Sequence, residues 1–174
     1  MNKLLVVVDY QNDFVDGSLG FPKAAELHEK ICDKILCYRA QGQPIVFTLD
    51  THEPDYIETQ EGRNLPVPHC IRGTAGHNLF GRVNSLSQGC EKFEKGTFGS
   101  DLLFTYLQKS IFESIEIVGL VSNICVISNA VLAKTALPEA LILVDAACTA
   151  SFDPLLNEKT LDILEGLQIK VTNR

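Results

Sequence analysis

The feature that most constrains the fold of this chain is a series of short strand-like segments, each followed at once by polar residues. Residues 4–8 form a continuous, β-branched apolar run that ends at Asp9, a pattern typical of a strand buried on both faces of a parallel sheet. Further strands are predicted at 45–49, 91–94, 115–120, 141–145 and 169–171. Polar residues at the ends of such strands are the first candidates for a functional site.

Helical segments alternate with these strands. Apolar residues at helical spacing predict a helix over 24–41, Ser100 is a candidate N-cap for the next helix, and two more are expected at 125–137 and 153–167. Such alternation predicts an α/β fold, a three-layer doubly wound sandwich with a mostly parallel sheet and right-handed crossovers. A chain of 174 residues falls within the range of a single domain, expected here to cover 1–174.

Charge and composition exclude several classes of function. The net charge is −7 with six scattered cysteines, so a basic surface for nucleic acid is not expected and the thiols are predicted to be reduced. No stretch is long enough to span a bilayer, and the run at 4–8 is too short for a secretory signal. We therefore expect a cytoplasmic protein that acts on a small molecule, without nucleic acid or membrane partners, and leave homo-oligomer formation open.

Cys125 is the candidate nucleophile. It follows the strand predicted at 115–120, where a helix begins, and a thiol near a helix N-terminus has its thiolate favoured by the oriented N–H groups. Lys95 could supply a cation and Asp9 a proton acceptor. The alternatives are a buried helix cysteine, a solvated loop lysine and a strand-end acid of a nucleotide-binding or receiver-like fold.

A second cluster, Asp50, His52, Glu61 and His69, lies in a long segment, 50–89, that is rich in Pro, Gly, Asn and His. This segment is expected to lack regular elements. Loops of this length are usually functional, which predicts an active-site excursion. Carboxylate and imidazole ligands suit Zn²⁺, Mn²⁺ or Fe²⁺, and the alternative is a set of exposed loop side chains.

Phe14 is the candidate substrate-binding aromatic. It lies in a loop after Asp9, bounded by Gly17 and Gly20, where its ring could stack on a planar ligand. The alternative is that the ring fills space in the hydrophobic core, which is the more common role of an aromatic side chain at such a place.

Five motifs occur in order along nearly the whole chain. They are Asp9-Tyr10-Gln11-Asn12-Asp13-Phe14, Asp50-Thr51-His52, Pro68-His69-Cys70-Ile71-Arg72-Gly73-Thr74, Lys95-Gly96-Thr97-Phe98 and Gly119-Leu120-Val121-Ser122-Asn123-Ile124-Cys125-Val126. Together they resemble the nicotinamidase and isochorismatase-like cysteine hydrolases.

The resemblance implies a six-stranded parallel sheet, an Asp9, Lys95 and Cys125 triad, and one divalent metal, zinc in the first place. Asp50, His52 and His69 would be its ligands, with Glu61 resembling an extra ligand of some members. It also implies an oxyanion hole from the N–H groups of Val121 and Cys125, and a cis peptide bond between Val121 and Ser122.

The implied activity is hydrolysis of nicotinamide to nicotinate and ammonia through a Cys125 thioester, with the pyridine nitrogen on the metal. Many siderophore-type isochorismatases lack the cysteine and the metal ligands, which this chain keeps. One departure concerns the substrate: Pro66 stands where nicotinamidases often carry a large ring-stacking residue, and the chain has no tryptophan. The alternatives are a sister hydrolase of another small amide, ureido or carbamoyl compound, and a non-catalytic binding or redox thiol protein.

Overall fold

The computed structural model describes residues 2–174, in which strands and helices alternate. The strands are β1 (Lys3–Val8), β2 (Ile45–Asp50), β3 (Glu91–Lys95), β4 (Ser114–Leu120), β5 (Leu141–Ala150) and β6 (Lys170–Thr172). The α-helices are α1 (Asn12–Val15), α2 (Pro22–Glu26), α3 (His28–Ala40), α4 (Gln60–Asn64), α5 (Gly81–Leu86), α6 (Asp101–Gln108), α7 (Ile127–Ala136) and α8 (Pro154–Gly166). A 3₁₀ turn at Tyr56–Glu58 and a π-helical turn at Ser122–Val126 lie between them.

The strands form one sheet in the order β3-β2-β1-β4-β5-β6, and each neighbouring pair is parallel. The chain winds outward from β1 in one direction to β3 and then, from β4, in the other. The carboxyl ends of β1 and β4 therefore flank a topological switch point, which is where doubly wound sheets bind ligands. This arrangement confirms the predicted α/β fold and its six-stranded parallel sheet.

Side chains alternate between two separate cores along the central strand. Leu5 and Val7 belong to the core under α2, α3 and α5, whereas Leu4, Val6 and Val8 belong to the core under α6, α7 and α8. All five are fully buried, because helices cover both faces of the sheet. The three-layer architecture follows directly from the apolar run that predicted β1.

Several predicted boundaries need correction. The helix expected over 24–41 is two helices, α2 and α3, because Pro22 starts the first and the chain turns at Leu27. The strand expected at 141–145 continues to Ala150 after an irregularity in its pairing with β4. No helix in residues 2–174 is long and apolar enough to cross a membrane.

The segment around the predicted active site also differs from the expectation. The stretch 50–89 contains the 3₁₀ turn, α4 and α5, short elements whose three to six residues are too few to show a helical period. The helix predicted to begin at Cys125 is preceded by the π-helical turn, so Cys125 lies inside helical structure. The cis peptide bond joins Leu120 to Val121, one bond before the position implied by the resemblance.

An ionic cluster joins α3 to β4 and β5 of the sheet. Lys34 Nζ lies 2.7 Å from both Glu116 Oε1 and Asp145 Oδ2, and Tyr38 donates to Glu116 Oε2 at 2.7 Å. Burial would lower the pKa of Lys34, but its hydrogen bonds to Asp145 and Glu116 raise it above the ordinary value. Burial and the bond to Glu116 raise the pKa of Tyr38.

Gly119 allows β1 and β4 to approach closely next to the switch point. Its φ is +115°, and a Cβ there would lie 2.0 Å from the Val8 carbonyl oxygen. Only glycine adopts this conformation without strain, and the clashing atom is backbone of the central strand.

Gly119→Ala is expected to destabilise the protein by about 3 kcal/mol or more, because strain at φ and a backbone clash add together. Urea unfolding followed by circular dichroism measures the change. Gly166→Ala, at the end of α8 where a Cβ meets nothing within 4 Å, is the matched control and is expected to be neutral or slightly stabilising. Equal stability of the two variants would contradict this role for Gly119.

The Lys34 cluster predicts alkaline loss of stability. Because the folded pKa of Lys34 is raised above the ordinary 10.5, its contribution is complete below pH 10.5 and is lost as pH rises through the folded value. The raised pKa of Tyr38 likewise makes the free energy of unfolding fall as pH rises. Lys34→Met should cost about 3 kcal/mol at pH 7, since it leaves two carboxylates without their cation, and should show a shallower decline above pH 10.5.

The control for this prediction is Lys23→Met, which breaks the exposed pair of Lys23 with Glu26 and should change the free energy of unfolding by no more than about 0.5 kcal/mol. Denaturant titrations of the three proteins between pH 7 and 11.5 make the comparison. A Lys34→Met curve parallel to that of the parent above pH 10.5 would rule the cluster out as the source of the decline.

Candidate active site and metal centre

The predicted site residues come together at the carboxyl ends of four adjacent strands. Asp9 follows β1, Asp50 ends β2, Lys95 ends β3, and the turn that carries Cys125 follows β4. Asp50 and Lys95 are direct partners in the register of β2 with β3, which brings their backbones side by side. All four side chains are buried. Parallel strand pairing thus assembles residues that are far apart in the sequence.

Lys95 is the hub of the cluster. Its Nζ lies 2.6 Å from Asp9 Oδ2 and 3.3 Å from Asp50 Oδ1, and it donates to the Thr97 carbonyl oxygen at 2.9 Å. The same atom lies 3.6 Å from Cys125 Sγ. Burial would lower the pKa of this ammonium, but Asp9, Cys125 and Asp50 raise it, so Lys95 is charged.

Asp9 is held by the backbone and by a neighbouring strand. Its φ is +44°, a left-handed conformation that turns the chain out of β1, and Thr48 Oγ1 donates to Asp9 Oδ1 at 2.6 Å. Complete burial raises the pKa of Asp9, and the adjacent Lys95 opposes that rise. The result is a carboxylate in a dry site, close to the thiol and more basic than an exposed aspartate.

Cys125 lies in the π-helical turn with its side chain almost fully buried. Burial and the neighbouring Asp9 raise the pKa of the thiol, while Lys95 lowers it. The thiol is therefore harder to deprotonate than that of an exposed cysteine, and Asp9 and Lys95 are its charged neighbours. The Cys125 carbonyl accepts a hydrogen bond from Asn129 Nδ2 at 2.8 Å, which fixes the turn to α7.

The three candidate metal ligands converge beside this cluster. His52 Nε2 and His69 Nε2 lie 3.1 and 3.3 Å from Asp50 Oδ2, and the donor atoms of the three residues all fall within 4.8 Å of one another. Tetrahedral zinc with bonds of about 2.1 Å separates its ligand atoms by about 3.4 Å, so the observed spacing fits one ion. His69 Nδ1 donates a hydrogen bond to the Val67 carbonyl at 2.8 Å, so the proton is on Nδ1 and the lone pair of Nε2 is free to bind a metal.

Glu61 lies on α4 at the rim of this centre. Its Oε1 is 3.8 Å from His52 Nε2 and 4.0 Å from His69 Nε2, farther than Asp50 is from either ring. Its carboxylate is partly exposed, and burial and the charge of Asp50 raise its pKa. The position suits a fourth ligand that binds directly after a small movement or through a water molecule.

A cavity of about 430 Å³ opens above the thiol and the donor cluster. Cys125, Asp50, Glu61 and His69 form its polar part, and its apolar wall is formed by Phe14, Leu19, Leu65, Phe98, Val121, Ile124 and Phe152. Phe14 is nearly buried and packs on the His69 ring at a centroid distance of 5.5 Å, so it contacts both the cavity and a candidate ligand. Leu65, rather than Pro66, contributes to the wall.

Two residues that support the site were missed by the sequence analysis. The Gln11 amide is fully buried, accepts from Asp50 N at 2.8 Å, and donates to the carbonyls of Asp50 and His77 at 2.9 and 2.8 Å. Asn129 accepts from Ser100 N at 3.0 Å while it holds Cys125. Gln11 stands inside a quoted motif, but neither side chain could be assigned a role without knowledge of its distant partners.

Comparison with known proteins identifies the family of the chain. The family model described as "Isochorismatase domain" matches residues 3–173. An uncharacterised isochorismatase family protein of Bacillus subtilis (strain 168) is 31% identical over 144 residues, which cover 75% of this chain and 78% of that protein. The nicotinamidase of Saccharomyces cerevisiae is 26% identical over 99% of this chain and 100% of its own.

Solved structures of similar proteins share the fold throughout. The crystal structure of nicotinamidase/pyrazinamidase from Bacillus subtilis superposes with a TM-score of 0.85 at 29% identity and covers 98% of this chain and 99% of its own. Pyrazinamidase of Pyrococcus horikoshii, determined in complex with zinc, has a TM-score of 0.86 at 24% identity over 100% of both chains, a likeness of fold. Because the family model spans nearly the whole sequence, the chain belongs to the isochorismatase family.

Proposed function

We propose that this isochorismatase-family chain is an amidohydrolase that converts nicotinamide, or a similar small planar amide, to the carboxylic acid and ammonia. The observation that carries the proposal is the meeting of a buried thiol, ammonium and carboxylate, with the thiol on the wall of a cavity that a cluster of metal-ligand donors also lines. The similarity to the yeast nicotinamidase and to the Bacillus subtilis nicotinamidase/pyrazinamidase supports the choice of substrate.

In the proposed reaction Asp9 accepts the proton of Cys125 as Sγ attacks the carboxamide carbon. The raised pKa of Asp9 suits a base that must take a proton and return it to the leaving ammonia. Lys95, 3.6 Å from Sγ, stabilises the thiolate during attack. Water then hydrolyses the thioester, which releases the acid and restores the thiol.

The N–H groups of Val121 and Cys125 are proposed to bind the oxyanion of the tetrahedral intermediate. Both residues border the cavity: Val121 directly precedes the π-helical turn and Cys125 lies within it. The Val121 carbonyl accepts from Ile124 N and Val126 N at 3.2 and 3.1 Å, which holds the turn in place before substrate binds. Fixed donors of this kind stabilise developing charge without reorganisation during the reaction.

Asp50, His52 and His69 are proposed to hold one divalent metal, with Glu61 as a further ligand. Two imidazoles and a carboxylate favour Zn²⁺, with Mn²⁺ and Fe²⁺ as alternatives. A metal bound there would offer an open coordination position to a ring nitrogen of the substrate. Asp50 Oδ1 would then face Lys95 while Oδ2 faces the metal, so this one carboxylate orients both groups.

Phe14 is proposed to bind the substrate ring, with Leu65 and Phe98 on the wall in place of the tryptophan that the chain lacks. The cavity volume is in the range of small-molecule sites, and its wall is mostly apolar. A panel of nicotinamide, pyrazinamide and ureido or carbamoyl compounds, with ammonia release as the readout, distinguishes this function from that of a sister hydrolase. Inactivity on the whole panel would favour the non-catalytic alternative.

The compartment and assembly are also proposals. Six free cysteines, four of them buried, suit the reducing cytoplasm, where disulfides are rare. Light scattering on the purified protein measures whether the chain forms a homo-oligomer. Fractionation of the native cell tests the compartment.

Cys125→Ala is expected to lower kcat for nicotinamide by at least about 1,000-fold, because no other group can form the thioester. Cys37→Ala, at an exposed cysteine on α3, is the control and should retain parental kcat and KM. Ammonia release measured for the three proteins, with circular dichroism to check folding, makes the test. Parental activity of folded Cys125→Ala protein would eliminate the proposed mechanism.

The metal proposal predicts about one divalent ion per chain in the purified protein. His69→Ala should abolish metal retention, and Glu61→Gln should weaken affinity by about tenfold to 100-fold, the range seen for supporting ligands. Glu58→Gln, at an exposed carboxylate of the 3₁₀ turn, is the matched control and should bind like the parent. Elemental analysis and chelator competition provide the readouts, and full metal content in His69→Ala would refute the assigned ligand set.

A further inference from the structure

A second cavity of about 570 Å³ lies next to the proposed active site. It lies between α2, the end of β5 and α8, and its walls include Phe21, Ala146, Ala150, Asn157 and Arg174. The two cavities share one lining residue, Phe152, which contributes to the wall of each. The Phe152 side chain therefore stands at the boundary between the space above Cys125 and the larger space beside it.

The backbone on both sides of Phe152 is anchored. Ser151 is buried, and its Oγ accepts from Asp153 N at 3.2 Å. Asp153 caps α8, with Oδ1 accepting from Leu155 N and Leu156 N at 2.8 and 3.3 Å. Because its neighbours are fixed, the Phe152 ring projects from a defined point although 61% of the residue is exposed.

Exposure of one aromatic side chain would carry no weight by itself, since isolated apolar residues are common on protein surfaces. The observation that indicates a role for Phe152 is its place on the walls of both cavities. We propose that Phe152 is a specificity-determining residue that closes the active-site cavity toward the second cavity and limits the acyl group of the substrate to a single ring. The inference rests on the proposed amidase function for its substrates, but the boundary itself is a property of the fold.

Removal of the ring should join the two spaces. In Phe152→Ala, a fused bicyclic amide gains room beyond the first ring, while a monocyclic amide loses a wall contact. Phe152→Leu should have an intermediate effect, and Phe152→Trp should narrow the opening. The free energy of unfolding should change little across the series, because most of the Phe152 residue is exposed to solvent.

The test compares kcat/KM for quinoline-3-carboxamide with that for nicotinamide across this series. The ratio should rise at least about tenfold in Phe152→Ala, as expected when a pocket admits extra apolar volume, and fall in Phe152→Trp. Leu155→Ala is the control: it removes a side chain of similar exposure three residues away, outside both walls, and should leave the ratio unchanged. An unchanged ratio in folded Phe152→Ala would overturn the proposal.

A second readout separates this inference from the amidase function. Cys125 is alkylated with iodoacetamide or with its N-naphthyl derivative, a reaction in which the sulfur–carbon bond forms, iodide leaves with the electron pair of the carbon–iodine bond, and the thiol proton passes to solvent. Mass spectrometry of the Cys125 peptide gives both rates, with exposed Cys37 as the internal reference.

At Cys125, Phe152→Ala should raise about tenfold the ratio of the alkylation rate with the N-naphthyl derivative to the rate with iodoacetamide. The same ratio at Cys37 should stay unchanged. This result together with inactivity of every protein on amides would end the amidase proposal and support the boundary role. Amide turnover with no change in either ratio would support the function and refute the role of Phe152.

Discussion

The proposed active site depends on one buried ammonium. Lys95 Nζ contacts Asp9, Asp50 and the sulfur of Cys125, three groups that would repel one another if each were charged without it. Two buried carboxylates this near a thiol are tolerated because the cation offsets their charge and because Thr48 and the histidines provide hydrogen bonds. Loss of this one charge would leave the carboxylates buried without compensation.

Asp50 contacts both that cation and the two histidines of the candidate metal centre. One oxygen of its carboxylate faces Lys95 and the other faces both imidazoles, while the Gln11 side chain bonds both the N–H and the carbonyl of Asp50. Asp50 therefore links the ammonium beside the candidate nucleophile to the candidate metal centre. Substitutions in the two sets should not be additive, because each changes the charge that the other experiences.

Much of the fold and part of the site could be predicted from sequence, for a physical reason. A strand buried on both faces must be apolar along its length, so the polar residue that ends it is conspicuous, as at Asp9 and Asp50. The topology of parallel sheets then brings such residues to one edge. These rules account for the predicted sheet and for the meeting of Asp9, Asp50, His52, Lys95 and Cys125, whereas His69 reaches them from the segment between α4 and α5. The chemical roles of these residues stay predictions.

Other features were beyond the reach of sequence patterns. The position of Glu61 depends on α4, which is shorter than two turns, and the support from Gln11 and Asn129 depends on partners that only folding brings near. The wall residue Leu65 was passed over for its neighbour Pro66, because the choice depends on how an irregular loop turns. Phe152 belongs to no motif, and its boundary position appears only when both cavities are seen.

The place of β3 in the sheet has a consequence for how the protein loses function. Lys95 lies on this edge strand, which pairs with β2 alone, whereas Asp9 and Cys125 adjoin the central strands. Edge strands open in local fluctuations at lower free energy than the core of a sheet. Mild heating or low denaturant should therefore detach the ammonium from an otherwise native sheet, so that the proposed active site is disrupted at a lower temperature than cooperative unfolding of the chain.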